Sequence, residues 1–232
     1  MPLVSLLMLD LDNTLVDRDA AFRAAVRAFL AEHGLPDAEL TWVMALDASG
    51  YRARADVASS MTDRYGASVP TAAVRALLDD GGADRVVLAG ATREALCRAQ
   101  AGGWTCAIVS NGRVAQQEAK IRRTGLDRLV QGWVISEGVG HKKPEPEIFR
   151  AAAAAVGGSL SDAWVIGDSP RADIAGANAL GLRSVWVSDG RPWTQESYEP
   201  TRIADDAASA LRSLLTGTTP EAGTAEQSPS RP

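Results

Sequence analysis

The chain has 232 residues, 46% of them hydrophobic, and a formal net charge of -5. That length accommodates one domain with a large insert, or a core with a small second domain. The acidic balance argues against non-specific binding to nucleic acid or to an anionic membrane, and no apolar segment approaches the roughly 18 residues that span a bilayer.

The first predicted element is a short buried parallel strand, an apolar run that begins near Leu3 and ends at Leu9. Asp10 and Asp12 interrupt the end of that apolar segment. Burying unpaired charge is costly, so carboxylates placed there point to a metal or a reacting group. The C-terminal end of such a strand is also where open α/β sheets bind ligands. Residues 17–32 carry helical spacing, with Phe22, Val26, Phe29 and Leu30 on one face, and His33-Gly34-Leu35-Pro36 stops the helix. Further helices are predicted near residues 39–46, 53–65 and 71–78. None of this stretch reads as strand, so residues 17–83 form an all-helical insert, or cap.

From Asp84 the pattern alternates. It predicts a helix over 91–101, a strand over 104–109, a helix over 114–124 and a strand over 129–135. A helix over 146–156, a strand over 163–166, a helix over 172–180, a strand over 184–187 and a last helix over 203–215 follow. Strands alternating with helices define an α/β core, a Rossmann-like doubly wound parallel sheet built from residues 1–16 and 84–215. Residues 216–232 carry almost no large apolar side chain and read as a disordered tail. Cys97 and Cys106 fit no metal or disulfide pattern and read as reduced thiols. The opening apolar run lacks the basic start of a secretion signal, so a cytoplasmic location is expected. Only Lys120, Lys142 and Lys143 among the 24 Lys and Arg residues are lysines, a bias that suggests a high-GC bacterial genome.

Four segments carry the chemistry. They are Asp10-Leu11-Asp12-Asn13-Thr14, Ile108-Val109-Ser110-Asn111-Gly112, Lys142-Lys143-Pro144-Glu145-Pro146 and Ile166-Gly167-Asp168 with Asp173 five residues on. In this order, each at a strand end or helix start, they resemble the signature motifs of the haloacid dehalogenase-like hydrolase superfamily. The match is to its phosphatase branch with a helical cap of the first subfamily, and it covers the chain from about residue 3 to 215. The resemblance implies that Asp10 is the nucleophile and forms an aspartyl-phosphate. It implies that Asp12 is the general acid and then the general base, a role that needs a carboxyl neutral in one step and ionised in the next. The superfamily's dehalogenases lack an acid at that position, so Asp12 favours phosphoryl transfer.

The same resemblance implies Mg²⁺ held by the carboxylates of Asp10 and Asp168, the backbone carbonyl of Asp12, and Asp173 directly or through water. Ser110 and the backbone at Asn111 would bind a phosphoryl oxygen, with help from the following helix start. Lys143 would stabilise nucleophile and phosphoryl group, while Lys142 points away. His33 and His141 read as structural and loop residues. In the cap, the stretch Asp47-Ala48-Ser49-Gly50-Tyr51-Arg52-Ala53-Arg54 breaks the helical pattern, and Tyr51 with Arg54 or Arg52 is the candidate contact to the leaving group, Arg18 a weaker one.

The expected function is hydrolysis of a small-molecule phosphomonoester, with no nucleic acid polymer or membrane partner and a monomeric or homodimeric state. A phosphomutase shares the core and is the alternative within the superfamily. A non-catalytic phosphometabolite-binding module is the alternative of another class, disfavoured because Asp10, Asp12, Lys143 and Asp168 are all present. A phosphonate hydrolase would need a cap lysine, and the insert has none.

Overall fold

The computed structural model describes residues 5–215. The expected tail over 216–232 therefore lies outside the described residues. Six strands form one parallel sheet in the order β3-β2-β1-β4-β5-β6. They are β1 (Leu6–Leu9), β2 (Thr105–Ser110), β3 (Gly132–Ile135), β4 (Trp164–Gly167), β5 (Arg183–Val187) and β6 (Arg202–Ala204). The helices in chain order are α1 (Arg18–Glu32), α2 (Glu39–Asp47), α3 (Arg54–Tyr65), α4 (Thr71–Asp80), α5 (Gly90–Ala101) and α6 (Val114–Thr124). They continue with α7 (Ser136–Val139), α8 (Pro146–Ala155), α9 (Ala175–Ala179) and α10 (Ala207–Leu215).

The sheet explains why β1 is apolar throughout. Its side chains alternate between two covered faces. Leu7 and Leu9 pack with Ala95 and Leu96 of α5, Ile121 of α6 and Leu211 of α10. Leu6 and Met8 pack on the other face with Ile148 and Phe149 of α8 and Ala177 of α9. Strand order reverses at β1, between β2 and β4, and the carboxyl ends of β1 and β4 open together at that switch point.

Helices α1 to α4 carry a separate apolar core of Phe22, Val26, Leu30, Val43, Val57, Met61 and Val74 among others. Among the described residues the insert holds no strand, as its periodicity predicts. Chain enters and leaves it side by side, with Val16 bridged antiparallel to Leu88. Gly82 lies so near α1 that an added Cβ would sit 2.7 Å from the Ala21 backbone.

Three predicted elements differ from the sequence pattern. The strand expected over 129–135 begins only at Gly132, because Gly125 closes α6 in the left-handed region and Leu126–Arg128 form a 3₁₀ turn. The last helix starts at Ala207 rather than 203. Arg202–Ala204 instead pair with β5 as an edge strand, and the Asp206 carboxylate accepts the Ser209 N–H at 2.7 Å as a helix cap. The helix expected over 172–180 is a wide π-type turn, Pro170–Ile174, followed by α9.

Candidate active site

Asp10 leaves the end of β1 with its N–H bonded to the Ile166 carbonyl of β4 at 2.9 Å, so the two strand ends are tied directly. The chain then turns tightly, with Asn13 at φ 58°, a left-handed position that asparagine tolerates. This turn brings Thr14 back over the strand ends. Its hydroxyl donates to Asp10 Oδ2 at 3.1 Å and accepts the Asp168 N–H at 3.0 Å.

Lys143 reaches the same place from the loop before α8. Its Nζ lies 2.6 Å from Asp10 Oδ1 and 2.7 Å from Asp173 Oδ1, with all three residues buried. The Asn111 side chain holds that loop, accepting the Lys143 N–H at 2.8 Å and donating to the Lys143 carbonyl at 3.1 Å. Asn111 therefore clasps the lysine backbone with its side chain. Lys142 is exposed.

The wide turn after β4 folds Asp173 back toward the strand end, where its Oδ2 accepts the Ser169 N–H at 3.0 Å. Carboxylate oxygens of Asp10, Asp168 and Asp173 all lie within 4.8 Å of one another. Arg191 flanks the group at 3.5 Å from Asp168 Oδ2 and also donates to the Asp168 carbonyl at 3.0 Å.

Three buried carboxylates share one buried ammonium. Burial, countered by Lys143 but reinforced by Asp173 and Asp12, pushes the Asp10 pKa up to about 7. Burial together with Asp10 and Asp173 pushes Asp168 up to about 8. Burial opposes the Lys143 charge, yet Asp10 and Asp173 outweigh it and hold that lysine above its ordinary value. An all-oxygen cluster with surplus negative charge fits a hard divalent cation such as Mg²⁺. The residues present therefore fit the metal that the motifs imply.

Asp12 stands at the rim, its side chain 27% exposed. Lys120 Nζ lies 2.7 Å from each of its oxygens, and Gln117 Nε2 donates to Oδ2 at 2.9 Å. Ser110, at the end of β2, is buried and accepts from the same Gln117 nitrogen at 2.6 Å.

The cap residues divide. Tyr51 is largely exposed and lines a cavity of about 450 Å³ together with Asn13, Thr14, Asp168 and Arg191. Partial burial and the facing charge of Asp168 push its phenol up to about 12. Arg54 lines a different cavity, of about 460 Å³, with Arg75, Asp79 and Arg113, and hydrogen-bonds Gln116. Burial and then repulsion from Arg113 and Arg18 lower its pKa. The structure thus brings Asp10, Asp168, Asp173 and Lys143 together, sets Asp12 and Ser110 around one glutamine, and places Tyr51 and Arg54 on separate cavities. Arg18 is turned away from solvent into a paired bond with Asp47, one arm at 2.8 Å. His33 bonds the Phe29 carbonyl at 2.9 Å and His141 pairs with Glu145 at 2.8 Å.

The sequence pattern does not single out Thr14, Gln117, Lys120 or Arg191 as site residues. For Gln117 and Lys120 a signal exists, since polar residues three apart on the helix after the Ser110 strand face the same way as that strand's end.

This parallel sheet, its helical insert and its four motifs at strand ends and a helix start define a hydrolase of one family. The chain belongs to the haloacid dehalogenase-like hydrolases, whose family pattern matches residues 4–181. It is 30% identical to phosphoglycolate phosphatase from Pseudomonas syringae pv. syringae over 227 residues, 93% of this chain and 80% of that one. It is 36% identical to phosphoserine phosphatase from Thermus thermophilus over 111 residues, 47% of this chain and 45% of that one. The chain spans about half the length of that relative and of several other phosphatases it matches. In fold it is similar to the magnesium-bound HAD-hydrolase YfnB from Bacillus subtilis, with a TM-score of 0.77 at 22% identity over 92% of this chain and 99% of that one.

Proposed function

We propose that the protein is a Mg²⁺-dependent phosphatase of small phosphorylated metabolites that works through an aspartyl-phosphate on Asp10. The observation that carries this reading is the buried Lys143 ammonium set between Asp10 and Asp173, with Asp168 in the same carboxylate cluster. Relatives named as phosphatases support it. Asp10, Asp168, Asp173 and the Asp12 carbonyl would hold Mg²⁺, which when bound screens the repulsion between a carboxylate nucleophile and a phosphate.

The chain's own residues do the rest. Thr14 and Lys143 each hold one oxygen of Asp10, fixing the carboxylate in place. An Asp10 oxygen attacks phosphorus, the bond from phosphorus to the ester oxygen breaks, and Asp12 gives that leaving oxygen its proton. Asp12, now ionised, takes a proton from water as the water attacks the aspartyl-phosphate, releasing inorganic phosphate and restoring the Asp10 carboxylate and the Asp12 acid. Lys143 offsets the charge on the phosphoryl group, and Ser110 offers a hydroxyl to one of its oxygens.

The helical cap supports a small substrate, because a cap must close over the site to exclude water. Tyr51 lines the same cavity as Asp168, which supports a contact from it to the leaving group. No described helix is long and apolar enough to cross a membrane. Cys97 and Cys106 are free thiols, which supports a reducing, cytoplasmic setting. The test is phosphate release from a panel of phosphorylated metabolites, with and without Mg²⁺, by wild type and Asp10→Asn. Mg²⁺-dependent release that vanishes in the variant is expected. Release that survives in Asp10→Asn overturns the assignment, and a product retaining organic phosphate identifies a mutase instead.

A further inference from the structure

Helix α6 presents two buried polar side chains, one turn apart, to a single carboxylate. Lys120 is 2% exposed and Gln117 is 1% exposed. Lys120 spends its hydrogen bonds on both oxygens of Asp12, and Gln117 Nε2 takes one of those oxygens as well. The arrangement is built rather than incidental. Gly112 leaves room for the Gln117 stem, since a Cβ there would sit 3.0 Å from its Cγ at a φ of 149°. Among the described residues the buried Gln117 Oε1 has no hydrogen-bond partner, so there the amide is oriented by what its nitrogen touches. That nitrogen also holds Ser110 Oγ at 2.6 Å and faces the Asn111 carbonyl at 3.3 Å.

A buried ammonium facing one carboxylate is a poor device for stability alone, because desolvation offsets much of the attraction. Here the carboxylate it faces is the group read above as acid and base, and its side chain stays 27% exposed. We propose that Gln117 and Lys120 are positioning residues for Asp12, fixing its carboxylate at the distance and angle from which it reaches the leaving oxygen. Gln117 also sets Asp12 relative to Ser110, so that phosphoryl binding and proton delivery share one reference point. This rests on the reading of Asp12 as general acid.

The test uses leaving-group dependence. The kcat/KM value reports steps up to cleavage of the ester. An alkyl phosphate needs its leaving oxygen protonated there, while an aryl ester such as p-nitrophenyl phosphate needs this much less. Lys120→Met is expected to lower kcat/KM on an alkyl phosphate by about 30-fold or more, a partial loss of the roughly 100-fold or greater contribution usual for acid–base catalysis. The loss on p-nitrophenyl phosphate should be about tenfold smaller. Gln117→Met should show the same selectivity to a lesser degree. In an Asp12→Asn background, Lys120→Met should cost little more, since residues acting as a unit are not additive. Lys120→Arg, which keeps the charge but changes its reach, should retain the fold by circular dichroism and show an intermediate, ester-selective loss. Equal losses on both esters, or an undiminished loss in the Asp12→Asn background, overturn the proposal. If Asp12→Asn itself shows no preference between the esters, the reading of Asp12 fails, independently of Lys120.

Discussion

The carboxylate of Asp173 occupies the space that a side chain at Gly167 would fill. A Cβ on Gly167 would lie 2.2 Å from Asp173 Cγ. The glycine at the end of β4 is therefore what lets the wide turn bring Asp173 back against Lys143. Gly167→Ala is expected to displace Asp173, weaken Mg²⁺ binding at least about tenfold and lower activity in parallel. Isothermal titration with Mg²⁺ checks it; unchanged affinity would show that Asp173 tolerates the shift.

The carboxylate cluster makes a prediction about pH. Asp10 and Asp168 have folded-state pKa values raised from 3.8 to about 7 and about 8, so between those limits the folded state binds more protons than the unfolded state. Stability from these two groups therefore falls as pH rises through that window. Facing them are Lys143, charged throughout the window, Asp173, Asp12 and Arg191. Metal-free protein should lose Tm from about pH 5 to pH 8, and Asp168→Asn should flatten that slope. Added Mg²⁺ should raise Tm more at pH 8 than at pH 5, because protons and metal compete for the same oxygens. Thermal unfolding across a pH series, with and without Mg²⁺, measures both.

Arg18 and Asp47 link the base of α1 to the loop that carries Tyr51. Both side chains are almost fully buried, the Gly50 N–H bonds the same Asp47 carboxylate at 2.9 Å, and Ser49 donates to Asp19 at 2.5 Å. Removing one buried partner strands the other charge. Arg18→Ala should cost about 3 kcal/mol, or roughly 6–12 °C in Tm, and should raise KM by loosening the loop. A drop in Tm with no change in KM would assign the pair to stability alone.

Tyr51 and Arg54 should separate in kinetics because they line separate cavities. Tyr51→Phe should raise KM about fivefold, the equivalent of one hydrogen bond of about 1 kcal/mol. Arg54→Ala should raise KM only for substrates with a second anionic group on the leaving side. Steady-state kinetics on paired substrates decides this, and unchanged constants for Arg54→Ala remove it from substrate binding.

Much of the catalytic centre is legible in the sequence because each motif is continuous chain at a strand end or helix start. The apolar run before Asp10 and the Ile166-Gly167-Asp168 step announce themselves locally. The clamp on Asp12 is not legible in this way, since Gln117 and Lys120 act across 105 and 108 residues of separation. Strand β6 hides for a related reason. Three residues with an exposed Ile203 have no periodicity of their own, and only pairing with β5 makes them a strand. The Asp206 cap, by contrast, is a local signal that marks the true start of α10. Tyr51 and Arg54 are only three residues apart in sequence, yet one follows the 3₁₀ turn Ala48–Gly50 and the other opens α3, and they line separate cavities.

The side-by-side entry and exit of the cap, with Val16 against Leu88, bears on how such a protein diversifies. A segment whose ends meet, and which carries its own core, can be lengthened, shortened or exchanged without disturbing the register of the sheet beneath it. The strand-end carboxylates and the helical insert thereby sit in pieces that can vary on separate schedules. A library that keeps residues 1–16 and 84–215 and replaces the insert would sample new preferences while leaving Asp10, Asp12, Ser110, Lys143 and Asp168 in place.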